Sequence, residues 1–384
     1  MPAPRRLARP VDRPHYHLGE PLLLEGDALF WLEREVSSGA CTLASVSTFG
    51  GASRFRVPVP CVGMNLEAML APGLVIVGNR QSHLVSAYDT RSGILRWASN
   101  VHAAILDLQR PPAISETELV LGVVEAQQVI YLVRVLPFAT WPPPQAWLVG
   151  LDLGTGALRW TRAIGSDSAY GVVGDGQGRF AVRGPGADFS VFDSSGPLWS
   201  SSDQWQQFAA GRVFGLRGVH DSISGAPLWT LPPAHLGFTF ANERVALASG
   251  EAAYRLFDAT TGAPLPHRRD ARAIDVAEGA FAPMVWPQAL LEDDSVLYSD
   301  SRSPDLSLAE VLQADGGLAY ACALPSTPYG SMVVGPGRAF LWTRPHVPNV
   351  DTPVTLHAVV LPGARPGTGW WQWRGGSGAD GRPH

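Results

Sequence analysis

"VSAYDTRSGILRW" (residues 85–97) and "LVGLDLGTGALRW" (148–160) are nearly one phrase written twice. Each runs an alternating apolar stretch into an Asp, then places a Gly four residues on and a Trp four beyond that: Asp89, Gly93, Trp97 and Asp152, Gly156, Trp160. Each part has its own physical job. The alternation reads as a strand. The Asp carboxylate accepts hydrogen bonds from the backbone N–H groups that follow it, and the Gly supplies the left-handed residue that closes a short hairpin loop. The Trp, on the returning strand, carries a large apolar surface that needs a neighbour to cover it. The phrase is therefore strand, turn, strand, and its recurrence predicts a repeat architecture.

A third full copy is Asp221, Gly225, Trp229; a shortened one is Asp193, Gly196, Trp199; another keeps Asp258 and Gly262 but ends in Pro266. Fainter echoes stand at Ser47/Gly51/Phe55, Leu312/Gly316/Tyr320 and Gly369/Trp373, which brings the count to eight. One or two further short apolar stretches precede each copy, such as 74–79, 244–250 and 338–344. Four strands per repeat predicts a propeller blade. The expected fold class is all-β: a single β-propeller of four-stranded antiparallel blades, eight by the count of phrases. Seven stays open, because the spacing is uneven, 28 residues from Asp193 to Asp221 against 63 from Asp89 to Asp152. The domain plan is an N-terminal arm over 1–18, the propeller over 19–374 and a C-terminal tail over 375–384.

The composition agrees. Of 384 residues 46% are hydrophobic and only 16% charged, and the 41 Gly and 33 Pro exceed average usage, as many short strands joined by tight turns require. The net charge is −5 and no basic block is long enough to track phosphates, which argues against nucleic acid. All 29 cationic residues are Arg, so Schiff-base, P-loop-lysine and lysine-base chemistries are excluded. Cys41, Cys61 and Cys322 lack a CxxC spacing; a bond between the first two cannot be read from the sequence, and three reduced thiols is the simpler expectation. The amino terminus has no apolar core behind its basic residues, and no apolar run approaches the ~20 residues of a membrane helix. The expectation is a cytoplasmic protein without membrane insertion.

The repeated Asp/Gly/Trp phrase resembles that of the PQQ-like β-propeller repeat family, which includes quinoprotein dehydrogenases and a scaffold of outer-membrane protein assembly. The resemblance runs from about residue 20 to residue 373 and implies eight blades around an axial channel. The dehydrogenases of that family carry a Cys-Cys pair and a calcium set, neither of which is found here. The acidic run 291–295 lacks calcium-loop spacing and reads as a solvated loop. No catalytic, cofactor-binding or metal-binding residues are assigned and no cofactor is expected. The functional expectation is a non-catalytic scaffold or protein-recognition module, monomeric by itself and part of a bacterial multi-protein system. The alternative is an axial-channel small-ligand binder or quinoprotein-like oxidoreductase.

Partner-binding residues are sought where the chain departs from the repeat. Trp141, Pro142, Pro143, Pro144 and Trp147 read as a semi-rigid apolar projection, of the type that serves as an interface anchor. Arg268 and Arg269, in "PHRRDAR", offer paired guanidinium groups for a partner's carboxylates. A second apparent insertion spans 282–305.

Overall fold

The computed structural model describes residues 5–6, 16–35, 38–61, 66–79, 82–101, 116–125, 127–136, 145–164, 172–175, 178–183, 189–203, 205–250, 253–270, 284–303, 306–324, 327–344, 355–363 and 365. These form eight four-stranded antiparallel sheets, the blades of an eight-bladed β-propeller. In chain order the sheets span 16–59, 66–100, 116–163, 172–201, 205–230, 235–270, 284–324 and 327–360. Seven run their strands in simple sequence, each paired to the next. The eighth takes its fourth strand from the other end of the chain: Arg5–Arg6 pairs with Thr355–Val360, Arg5 opposite Ala358 and Arg6 opposite His357. The phrase ending in Gly369 and Trp373 lies outside the described residues.

The chain divides into two compact units. One, residues 16–47 and 53–205, carries the first four sheets; the other, residues 1–15, 48–52 and 206–374, carries the last four. Within each unit the core is a set of layers between neighbouring sheets. The strand Leu74–Asn79 shows how one sequence serves two layers. Val75 and Val77 join the first sheet's Phe30 and Leu43 on one side, while Leu74 and Ile76 join the third sheet's Val129 and Val149 on the other. With successive side chains pointing to opposite faces, a strand buried on both must be apolar throughout, and "LVIVGN" nearly is.

The uneven spacing is absorbed without losing a blade. The fifth sheet fits four strands of four or five residues into 205–230. The apparent insertion at 282–305 is no insertion: Met284–Leu290 and Val296–Ser303 are the first two strands of the seventh sheet, with Tyr298 fully buried. One cysteine expectation is corrected as well. Cys41 and Cys61 are bonded, with Cα atoms 6.0 Å apart, across the far end of the first sheet's last two strands, and Cys322 takes no part in a disulfide. The pairing of Cys41 with Val59 brings Cys61 within reach, a proximity that strand register creates and residue spacing does not reveal.

Candidate functional site

The repeated phrase builds the hairpin between the third and fourth strands of a sheet. At the second sheet, Asp89 Oδ1 accepts the N–H of Arg91 at 3.0 Å, the N–H of Ser92 at 2.9 Å and the Ser92 hydroxyl at 2.9 Å. Asp152 repeats this with Gly154 and Thr155, Asp221 with Ile223 and Ser224, and Asp258 with Thr260 and Thr261. Asp193, in the shortened turn, accepts from Ser195 and Gly196. The Gly four residues on has positive φ in the four full-length turns, 68° at Gly156 for example, a conformation a side chain would strain. Arg96 and Arg159 fold back onto the second oxygen of Asp89 and Asp152. These bonds hold the carboxylates charged: the Arg96 guanidinium and then Ser92 keep Asp89 well below the usual range, and Arg159 and Thr155 lower Asp152 to about 2. Such carboxylates are turn staples, their lone pairs already occupied.

The aromatic that ends the phrase clasps the next sheet. Trp97 packs over Gly156, where a Cβ would fall inside its ring, and its Nε1–H donates to Leu153 O at 2.8 Å. Trp229 covers Gly262 in the same manner and donates to Ala259 O at 3.1 Å. Phe55 covers Gly93. Trp160 instead donates to Gln128 Oε1 of its own sheet and stacks on Phe180 of the next; Trp199 meets Phe189 edge-on. Trp97 is buried, and Trp160 and Trp229 are half-buried.

First-to-second and third-to-fourth hairpins emerge at the same end of a sheet and are tied together, as by Thr90 N–H to Gly73 O at 3.1 Å and Ser222 N–H to Gly211 O at 3.0 Å. The acidic run belongs to this end: Asp294 accepts from Asn242 and Arg244 of the neighbouring sheet's hairpin. The apolar side chains on it are unexpected. Of the ten large hydrophobic side chains exposed among the described residues, eight lie on third-to-fourth hairpins or in the first residues beyond them: Phe49, Ile94, Leu95, Leu158, Leu198, Ile223, Leu228 and Leu318. Phe49 is 77% exposed and Ile223 69%. Arg338 lies 5.4 Å from the Phe49 ring and donates to Thr48 O.

Of the partner-binding residues expected from sequence, Trp147, Arg268 and Arg269 are among those the structure describes. Trp141, Pro142, Pro143 and Pro144 lie outside the described residues. Trp147 is on the third sheet's third strand, opposite Val133 and Ala163, half-buried against the layer between the second and third sheets. Arg268 is exposed and pairs with Asp270 at 2.8 Å. Arg269 turns to the opposite side and reaches Asp300 at 2.9 Å and Glu310 at 2.5 Å in the seventh sheet, both buried. The hairpin residues escaped the sequence reading, although a trace was there: an apolar residue inside a turn, as Ile223 between Asp221 and Gly225, has no core to enter. Among the described residues no group of three or more His, Cys, Asp or Glu could hold a metal ion, and no helix is long and apolar enough to cross a membrane.

No family model matches the sequence, and no curated protein does. Solved structures do match in fold. BamB from Moraxella catarrhalis aligns over 93% of this chain and 100% of its own, at 13% identity and a TM-score of 0.56. The C-terminal WD40 domain of Sif2 aligns over 93% of this chain and 98% of its own, at 10% identity and 0.55. A quinohemoprotein alcohol dehydrogenase from Comamonas testosteroni aligns over 87% of this chain and 65% of its own, at 11% identity and 0.41. At these identities the likeness to the first two, both above a TM-score of 0.5, is one of fold alone, that of a β-propeller.

Proposed function

We propose that the chain is a non-catalytic recognition module that binds another protein through its third-to-fourth strand hairpins. The observation that carries the reading is the concentration of exposed apolar side chains there. Scattered singly, exposed Leu or Ile residues need no explanation; recurring at the same structural position on sheet after sheet within each unit, they mark that position as one that binding would cover. The hairpins beneath are rigid, their Asp side chains saturated and their Gly residues clasped by the preceding sheet. A partner would therefore meet a surface that is already ordered, at little entropic cost.

In its finer form the proposal is a monomeric component of a bacterial multi-protein system. Its compartment is part of the same proposal. A Cys41–Cys61 bond persists in oxidising surroundings and is rare in the cytoplasm, which favours an exported setting over the cytoplasmic one expected from the amino terminus. The test is a doubly substituted chain, Ile94→Asp with Ile223→Asp, used as bait beside the unsubstituted protein in cells that encode it. Melting should change little, since exposed substitutions cost within about 0.5 kcal/mol each. Recovery of a specific partner should fall about thirtyfold, the loss of about 2 kcal/mol of interface anchoring. Undiminished recovery would overturn the assignment of the surface. Turnover of alcohols or sugars on addition of the quinone and calcium would overturn the non-catalytic reading.

A further inference from the structure

The sixth sheet is where the phrase ends in Pro266 instead of an aromatic. In the second sheet the hairpin register passes from Tyr88↔Leu95 to Ala87↔Trp97, and in the fifth from His220↔Pro227 to Val219↔Trp229. The sixth sheet starts alike with Phe257↔Pro264 but continues at Arg255↔Arg268. Between those pairs lie Leu256 on the third strand and residues 265–267 on the fourth, an excess of two on the fourth strand where the bulges of the second and fifth sheets have one, and His267, next to Arg268, comes to the place Trp97 and Trp229 occupy. It also takes over their bond. Trp97 and Trp229 donate to Leu153 O and Ala259 O, each the first residue beyond the next sheet's third strand. His267 Nδ1 lies 2.7 Å from Gln313 O, the first residue beyond Leu306–Leu312 in the seventh sheet.

A carbonyl can only accept, so Nδ1 carries the proton and Nε2 accepts from the Tyr298 hydroxyl 2.9 Å away. The ring is fully buried and stacks on Tyr298 at 18°. We propose that His267 is a titrating clasp: as neutral imidazole it fastens the seventh sheet's third-to-fourth hairpin to the sixth sheet, and protonation in mildly acidic surroundings loosens that joint alone. A proton on Nε2 would oppose the Tyr298 O–H that now donates to it and place an unhydrated charge in the layer. Among the described residues, the other charged and titratable groups nearby do not supply a counter-charge in contact with the ring. Asp315 acts from the hairpin at a distance, and Arg269 on the same strand already holds Asp300 and Glu310. Tyr254, on the sixth sheet's third strand, gives its hydroxyl to Val285 O, and Arg268 is on the exposed side with Asp270. Burial pushes the imidazole below its ordinary 6.5, with the Gln313 carbonyl and Asp315 pulling less strongly the other way. The sign follows: the clasp is at full strength above the unfolded value of 6.5 and is lost as pH falls toward the lower folded value.

The experiment is hydrogen exchange followed by mass spectrometry on the full chain from about pH 8 to about pH 5, corrected for intrinsic exchange. Protection of the 311–320 segment should fall by up to about tenfold per pH unit below 6.5, while the Trp-clasped 150–160 segment holds steady. In His267→Gln, an amide able to donate to Gln313 and accept from Tyr298, the fall should vanish. An identical fall in the variant, or an equal fall at 150–160, would overturn the proposal. Imidazole NMR on the unsubstituted protein gives a second reading that needs no variant: a midpoint for His267 below 6.5 supports it, and one at or above 6.5 sinks it.

Discussion

The junction between the second and third sheets and the junction between the sixth and seventh solve one problem with different chemistry. At the first, Trp97 lies on Gly156 and gives one hydrogen bond to Leu153 O, and the rest of the layer is apolar, with Met69, Ile76, Val85, Val129, Val149 and Leu151 among its residues. At the second, His267 and Tyr298 replace the indole, and Arg269 crosses to two buried carboxylates, Asp300 and Glu310. An apolar layer tolerates small misfits and ignores pH. A layer with buried charge is held by a few groups that fail together when one is removed, because each leaves another stranded in a poorly solvating interior. The same fold thus carries joints of unequal sensitivity.

That contrast can be tested by substitution. The largest effect is expected from Arg269→Ala. Removing the guanidinium takes its ion pairs away from two buried carboxylates, Asp300 and Glu310, and unfolding should show a loss of about 3 to 5 kcal/mol. A loss under about 1 kcal/mol would show that water reaches the carboxylates and that the two junctions differ little. Next comes Trp97→Ala, expected to cost about 3 kcal/mol in a denaturant titration, by exposing the layer and leaving a cavity over Gly156. That cost should be the same at about pH 8 and about pH 5, since the described residues of the layer carry no ionisable side chain; a strong pH dependence would erase the distinction. The smallest effect belongs to Asp152. Its folded value of about 2 lies below the ordinary 3.8, so its turn is fully supported above 3.8 and loses support as pH falls toward 2. Carboxylate NMR should place its midpoint near 2, and a midpoint near 3.8 would mean that the Arg159 and Thr155 bonds do not persist in solution.

The hairpins could be read in advance because every determinant of an Asp-x-x-x-Gly turn is local. A carboxylate, the N–H groups two and three residues on and a left-handed Gly all lie within five residues, and so Asp89/Gly93 and Asp152/Gly156 behaved alike. Trp147 was less legible: a Trp beside prolines has the composition of a projection, and only its pairing with Val133 and Ala163 places it on a strand.

The sequence by itself determined the all-β class, the four-stranded repeat and the chemistry of its turns, since alternation, turn residues and Gly positions are properties of short stretches. Tertiary structure alone decided what meets across the layers. The Cys41–Cys61 bond, the Arg5–Arg6 strand beside Thr355–Val360, the ion pairs of Arg269 and the substitution of His267 for a Trp all depend on register and on contacts between distant residues. A single extra residue in a bulge moves the next side chain into another's place; the sequence shows only that the aromatic is missing at Pro266, and the register decides which residue stands in for it.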